Sequence, residues 1–196
     1  MDGGGEDLET HGRKSTDLAR RALQVARDDP HILANAALAL AYLGEDIDAM
    51  VALVDRALAL NPSFARGWYL SGALRLWAGQ PDLAIAHVET SLRLSPRARV
   101  GLPFFVIGAA HFVSHRFDEA LPKLLLATQE HPGFPETYRF FAACLVHMGR
   151  LDETREVIKR LRTITPLIVP KVTPLRNVEH RELFLSGLRL AAGEET

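Results

Sequence analysis

The sequence predicts an all-α protein, an α-α superhelix of antiparallel helix pairs with a C-terminal capping helix. Three observations predict it. Pro62, Pro96, Pro132 and Pro166 each close an amphipathic run, at spacings of 34, 36 and 34 residues. Between them Gly79 and Gly149 open the turns GQPDLA and GRLDET, with HRFDEA in the same register. Large and small residues also alternate. With the closing proline set at position 32 of its unit, position 4 holds Trp68, Phe104 and Tyr138, position 8 holds Gly72, Gly108 and Ala142, and position 20 holds Ala84, Ala120 and Thr154.

Each element then has a local reason. Residues 1–15 open as MDGGGEDLET, acidic and glycine-rich, and are expected to form a disordered tail that cannot build a core. STDLARRALQVARDDP, from Ser15 to Pro30, reads as one helix opened by Ser15 or Thr16 and stopped by Pro30, a half repeat over 16–30 whose partner in a hairpin is not apparent. From there to residue 166 the chain forms about four helix pairs, so that 16–166 is one array. The glycine at position 15 ends the first helix in the left-handed conformation and the proline at position 32 blocks the second. A small residue at position 8 admits close approach of the paired helix, and stacked neighbours supply the core no single pair can bury. Gly44 begins a similar turn, GEDIDA, but lies thirteen residues before Ala57 where Gly79 lies twelve before Ser91, which requires one extra residue in that turn or a slip in the following helix. LIVPKVTPLRN carries Pro170 and Pro174, so 167–178 is read as an extended linker. The last helix, over 179–192, has Leu183, Phe184, Leu188 and Ala191 on one face and is expected to cap the fourth pair, although the linker is long enough to carry it into the concave side instead.

Composition narrows the function classes. A hydrophobic share of 47 % rules out a mainly disordered chain, while a net charge of -1 and a pI near 6.7 provide no general attraction to nucleic acid or anionic lipid. Arg155, Lys159, Arg160, Arg162, Lys171 and Arg176 form a local basic run that is read as a solvated face, not as a nucleic-acid surface. The single cysteine, Cys144, precludes an intramolecular disulfide and fits a reducing compartment. With no secretory signal pattern and no long apolar run, the expectation is a cytoplasmic chain with no membrane partner.

The repeat residues resemble the tetratricopeptide repeat family: Trp68, Gly72, Gly79, Ala84 and Pro96 in one unit, Phe104, Gly108, Ala120, Ala127 and Pro132 in the next, and Tyr138, Ala142, Gly149 and Pro166 more loosely. The runs ARGWYLSGALRLWAGQPDLAIAHVETSLRLSP, AAHFVSHRFDEAL and HRELFLSGLRLAAG further resemble the C-terminal repeat region of bacterial class III adenylate or guanylate cyclases. That second resemblance implies a regulatory or scaffolding appendage. No residue of this chain matches a cyclase catalytic position.

Catalytic and metal readings find no support in the residues. His111 and His115 have the spacing of paired zinc ligands on a helix, but Phe112 stands where a general-base Glu would sit, and His115 occupies the turn position that sister units give to glycine. Asp118, Glu119, Asp152 and Glu153 occupy corresponding places at the start of second helices, where carboxylates suit the positive end of the dipole. No catalytic residue, cofactor site or metal site is assigned, and no small-molecule substrate is expected.

The resemblance to tetratricopeptide arrays implies a concave face lined by positions 2, 5, 9, 12 and 13 of the first helices. On this sequence it points to Arg66, Tyr69, Leu76, Trp77, Phe105, Phe112, Arg139 and His147 as groove residues for a protein or peptide ligand, or for a second copy of the chain. Cochaperone members of that family clamp a terminal carboxylate at positions 5, 9 and 13, which Tyr69, Ala73 and Trp77 do not reproduce. The resulting expectation is a noncatalytic interaction or scaffold module, regulatory in a bacterial nucleotide-signalling protein. The alternatives are a fragment or subunit of a cyclase whose catalytic domain lies elsewhere, and an appendage of a transcription regulator.

Overall fold

The computed structural model describes residues 3–25, 28–96 and 102–193, and among them the chain is helical with no strand. Helix α1 (Gly3–Val25) precedes four antiparallel pairs: α2 (Pro30–Tyr42) with α3 (Ile47–Leu60), α4 (Ala65–Trp77) with α5 (Pro81–Leu94), α6 (Pro103–Val113) with α7 (Phe117–Glu130), and α8 (Pro135–His147) with α9 (Leu151–Ile164). Helix α10 (Val178–Ala192) ends the array. The tail expected over 1–15 is corrected for residues 3–15, which lie inside α1; Met1 and Asp2 fall outside the described residues.

Local rules set the lengths. Each second helix is 14 residues long and closed by the turn that carries its proline, while α4 and α8 are each 13 residues. Gly79 and Gly149 adopt φ of +83° and +72°, and His115 takes φ 58° at the equivalent turn. The irregularity in the first unit lies in its turn: α3 keeps 14 residues, and four residues, Leu43 to Asp46, separate α2 from α3 where three separate α4 from α5. The longer spacing ahead of Pro132 is taken up between α5 and α6, and α6 is shortened to 11 residues.

The small-residue positions sit where helices meet. A Cβ on Gly72 would lie 2.5 Å from Val88 Cγ2 and 2.9 Å from the Ala84 carbonyl oxygen, and one on Gly108 would lie 2.8 Å from Leu124 Cγ. An N-terminal core around Leu33, Val54, Phe64 and Leu74 and a larger C-terminal core around Phe112, Leu124, Cys144 and Phe184 are joined by Leu38, Tyr69 and Trp77, which pack against both.

The last helix packs against both helices of the fourth pair. α10 does not simply cap the exposed side of α9. It lies chiefly against α8, on the concave side, where Phe184 stacks on Phe140 with ring centroids 4.2 Å apart, and Gly187 approaches so closely that a Cβ there would meet His147 Nε2 at 2.6 Å. The nonhelical stretch from Thr165 to Asn177 runs across the array to reach α4 and α2 before α10 turns back. Full burial of Phe184 and Leu188 in this seat is worth about 1.5–3 kcal/mol for each side chain, which decides against leaving that face to solvent.

Candidate functional site

The first helices line a concave surface, and the C-terminal segment divides it in two. Over α6 and α8 the surface is filled from within. Arg139 is buried, donates from Nε to the Ile168 carbonyl at 2.9 Å and from Nη2 to the Leu167 carbonyl at 2.5 Å, and pairs with Glu136. Burial pushes the Glu136 carboxyl above its usual range while Arg139 draws it back. His147 donates from Nε2 to the Leu183 carbonyl at 3.1 Å and stacks on Phe117 at 5.4 Å. Phe105 packs edge-on between Phe134 and Phe140, and Phe112 is fully enclosed by Phe117, Phe140 and His147. Phe105, Phe112, Arg139 and His147, among the eight groove residues read from the sequence, therefore meet the chain's own C-terminal segment or the core. Leu76 is likewise core, at 2 % exposure, so neither it nor Phe112 presents a surface to a ligand.

The half over α2 and α4 stays open. A cavity of about 380 Å³ is lined by Ser15 of α1, by Asn35, Leu38, Ala39, Tyr42 and Leu43 around α2, and by Trp77 of α4. Tyr42 is 71 % exposed, and its ring lies 6.3 Å from that of Trp77 at an interplanar angle of 49°. Arg66 is exposed beside it, donating from Nε at 3.3 Å and from Nη2 at 3.1 Å to Asn35 Oδ1, while Asn35 Nδ2 donates to the His31 carbonyl at 2.7 Å. Tyr69 lies deeper: burial raises its phenol pKa, against the lowering influence of the Leu102 main chain and of Arg66. At the far end, Arg176 donates its main-chain N–H to the Trp77 carbonyl at 2.8 Å and its guanidinium to the Ala41 carbonyl at 2.6 Å.

Leu38, Tyr42 and Arg176 were absent from the groove residues read from the sequence. A signal for the first two existed. Once the extra residue of the first unit is placed in its turn, Tyr42 aligns with Trp77 and Leu38 with Ala73 at the groove positions. Arg176 had no comparable signal, because nothing local in LIVPKVTPLRN says which helix ends it will meet.

The reactive side chains have structural surroundings. Cys144 is buried, its Sγ 3.6 Å from the Phe117 carbonyl, and burial pushes its thiol pKa up to about 12, which disfavours the nucleophilic thiolate. His111 is held below the ordinary imidazole value by burial, and His115 closes its turn in the left-handed conformation, so the two rings do not form a presented pair. No cluster of three metal-ligating residues occurs among the described residues. Asp152 pairs with Arg155, and Glu153 accepts from Arg150 at 2.6 Å, both in the first turn of α9. No helix among the described residues is long and apolar enough to cross a membrane.

No family model matches the chain. A curated relative, the cytochrome c-type biogenesis protein CycH of Rhizobium meliloti (strain 1021), is 28 % identical over 135 residues, 67 % of this chain. The chain spans about a third of that relative's length, 35 %. Among solved structures, YrrB, described as a TPR protein with an unusual peptide-binding site, aligns over 90 % of this chain and 92 % of its own at 23 % identity and a TM-score of 0.57. MamA from Desulfovibrio magneticus RS-1 aligns over 78 % of this chain and 94 % of its own at 20 % identity and a TM-score of 0.61. Repeat register, paired-helix geometry and these structural neighbours agree on one architecture, and the chain has the fold of a tetratricopeptide-repeat solenoid.

Proposed function

We propose that this chain is a noncatalytic protein-interaction module that takes a peptide or protein partner on the open half of its concave face. One observation carries the reading. The apolar surface over α6 and α8 is already covered by the C-terminal segment, whereas the Tyr42–Trp77 cavity is left uncovered beside a guanidinium. Apolar surface with convergent polar groups in a concave setting is where partners bind. In this reading Arg66, Tyr69 and Trp77 contact the partner, and Arg139 and His147 serve by holding the C-terminal segment in place. The chain works in the cytoplasm as the regulatory part of a larger bacterial assembly, and the wording of the repeats supports attachment to nucleotide signalling.

A second reading is favoured by the relative. Similarity to CycH over two thirds of this chain supports a part in cytochrome c-type biogenesis, again as the module that holds a protein partner. One pair of experiments separates the two. Cross-linking from the full chain and from Trp77→Arg should yield partners that the variant loses, and equal capture by both would overturn the interaction reading. Deleting the gene should leave c-type cytochrome content unchanged if the signalling reading holds, and a fall in that content would favour the second.

A further inference from the structure

We infer that the cavity between α2 and α4 takes a short extended segment of a partner protein in which one large apolar side chain lies near an acidic residue. The inference rests on the interaction reading above and adds the chemistry of the ligand. The anchor follows from shape. Leu38, Tyr42 and Trp77 are among the residues that line an open cavity of about 380 Å³, at the lower end of the size range of small-ligand pockets and roomy enough for one aromatic or long aliphatic side chain.

The acid follows from charge. Arg66 forms no ion pair among the described residues; two of its N–H groups go to the single oxygen of Asn35, and a guanidinium carries five. Asn35 is itself anchored on the His31 carbonyl, so the amide is oriented and holds Arg66 over the groove with donors to spare. A carboxylate there gains a charge-assisted bond that a neutral or basic side chain does not.

The other end of the cavity selects differently. Arg176 donates its main-chain N–H to the Trp77 carbonyl and one guanidinium nitrogen to the Ala41 carbonyl, at the C-terminal ends of α2 and α4, where the helix dipoles favour a cation and disfavour a carboxylate. Arg66 stands instead in the first turn of α4, at the positive end of its dipole, so the acid belongs on the Asn35 side. Asn35 and Tyr42 are seven residues apart on one helix, about 10 Å, which an extended peptide covers in about three residues. Extended chain is also what the adjoining half of the groove already accepts, since the stretch from Thr165 to Asn177 crosses it without helix.

The test uses the full chain carrying Trp68→Phe, which leaves Trp77 as the reporter because the chain has two tryptophans. Three short synthetic peptides are titrated: one with a phenylalanine and a nearby glutamate, one with lysine in place of the glutamate, and one with alanine in place of the phenylalanine. The expected result is a saturable change in Trp77 emission with the first peptide and about tenfold weaker binding of the other two. Arg66→Glu should invert the order of the first two peptides, and Arg66→Gln should equalise them. Equal affinity of the glutamate and lysine peptides for the unaltered chain overturns the inference, as does an unchanged order in Arg66→Glu; either result leaves the interaction reading intact if the Trp77-dependent cross-links persist. A concentration-dependent dimer whose dissociation alone unmasks Trp77 also overturns it, in favour of a second copy as the occupant.

Discussion

At the scale of single residues, the array is held by positions where almost nothing fits. Gly72 and Gly108 stand at the same place in consecutive units, and each faces the second helix of its own pair across less room than a Cβ needs. At Gly72 one of the blocking atoms is the Ala84 carbonyl oxygen, a main-chain atom that cannot swing away. Gly72→Leu and Gly108→Leu should therefore each lower stability by about 1–3 kcal/mol or more, read as a fall in the urea midpoint. An unchanged midpoint in both would show that the helix pairs do not meet there. His115 is the complementary case. It bears a side chain where Gly79 and Gly149 bear none, at φ 58°, a conformation that costs an L-residue about 1–2 kcal/mol. His115→Gly should raise the midpoint by the equivalent of about 1 kcal/mol, once the freer unfolded chain and the lost edge contact with Phe117 are discounted. A fall would mean that this contact outweighs the backbone strain. Both positions were legible in the sequence, because the repeat period put them in register with their sisters.

Among the elements, α10 with the stretch before it decides what the concave face can do. Its hold on the array is concentrated in Arg139, which turns two main-chain carbonyls toward α8, and in Phe184 against Phe140. Arg139→Ala leaves Leu167 and Ile168 without their donor and Glu136 without its cation, and should cost about 1.5–3 kcal/mol. Lysine at this position should not rescue it, because a single ammonium does not reproduce the planar fork. Deletion of residues 167–196 should lower amide protection in α6 and α8 and shift Trp77 emission, since Arg176 bonds to the Trp77 carbonyl. Protection of α6 and α8 that survives the deletion unchanged would show that the segment does not seal the groove. The sequence supplied the helix, its apolar face and a linker of sufficient reach, but the same face serves equally well as an end cap or as a groove filler. The choice rests on Phe140 and Arg139, which lie far from α10 in sequence and become its neighbours only in the fold.

For the whole molecule, half-buried histidines in separate elements tie stability to pH. His87, His111 and His180 are all held below the ordinary imidazole value of 6.5, chiefly by burial. The unfolded chain therefore takes up protons first, so their contribution is complete above about pH 6.5 and is lost as pH falls toward their folded values. The urea midpoint should drop on acidification from about pH 7.5 to about pH 5.5, and replacing the three histidines with glutamine should flatten that slope. A midpoint that rises over the same interval would reverse the assignment. What the sequence by itself determined is the solenoid: helix lengths, turns and small-residue contacts follow from prolines, glycines and apolar spacing that act within a few residues, through steric and hydrogen-bonding rules indifferent to the rest of the chain. Only the tertiary structure decided which half of the concave face is filled and which is open. That outcome is a competition between distant surfaces for one apolar helix face, settled by the buried area and by Arg139, His147 and Arg176 bonding to main-chain carbonyls, which any sequence offers at every residue and which therefore leave no mark in the pattern.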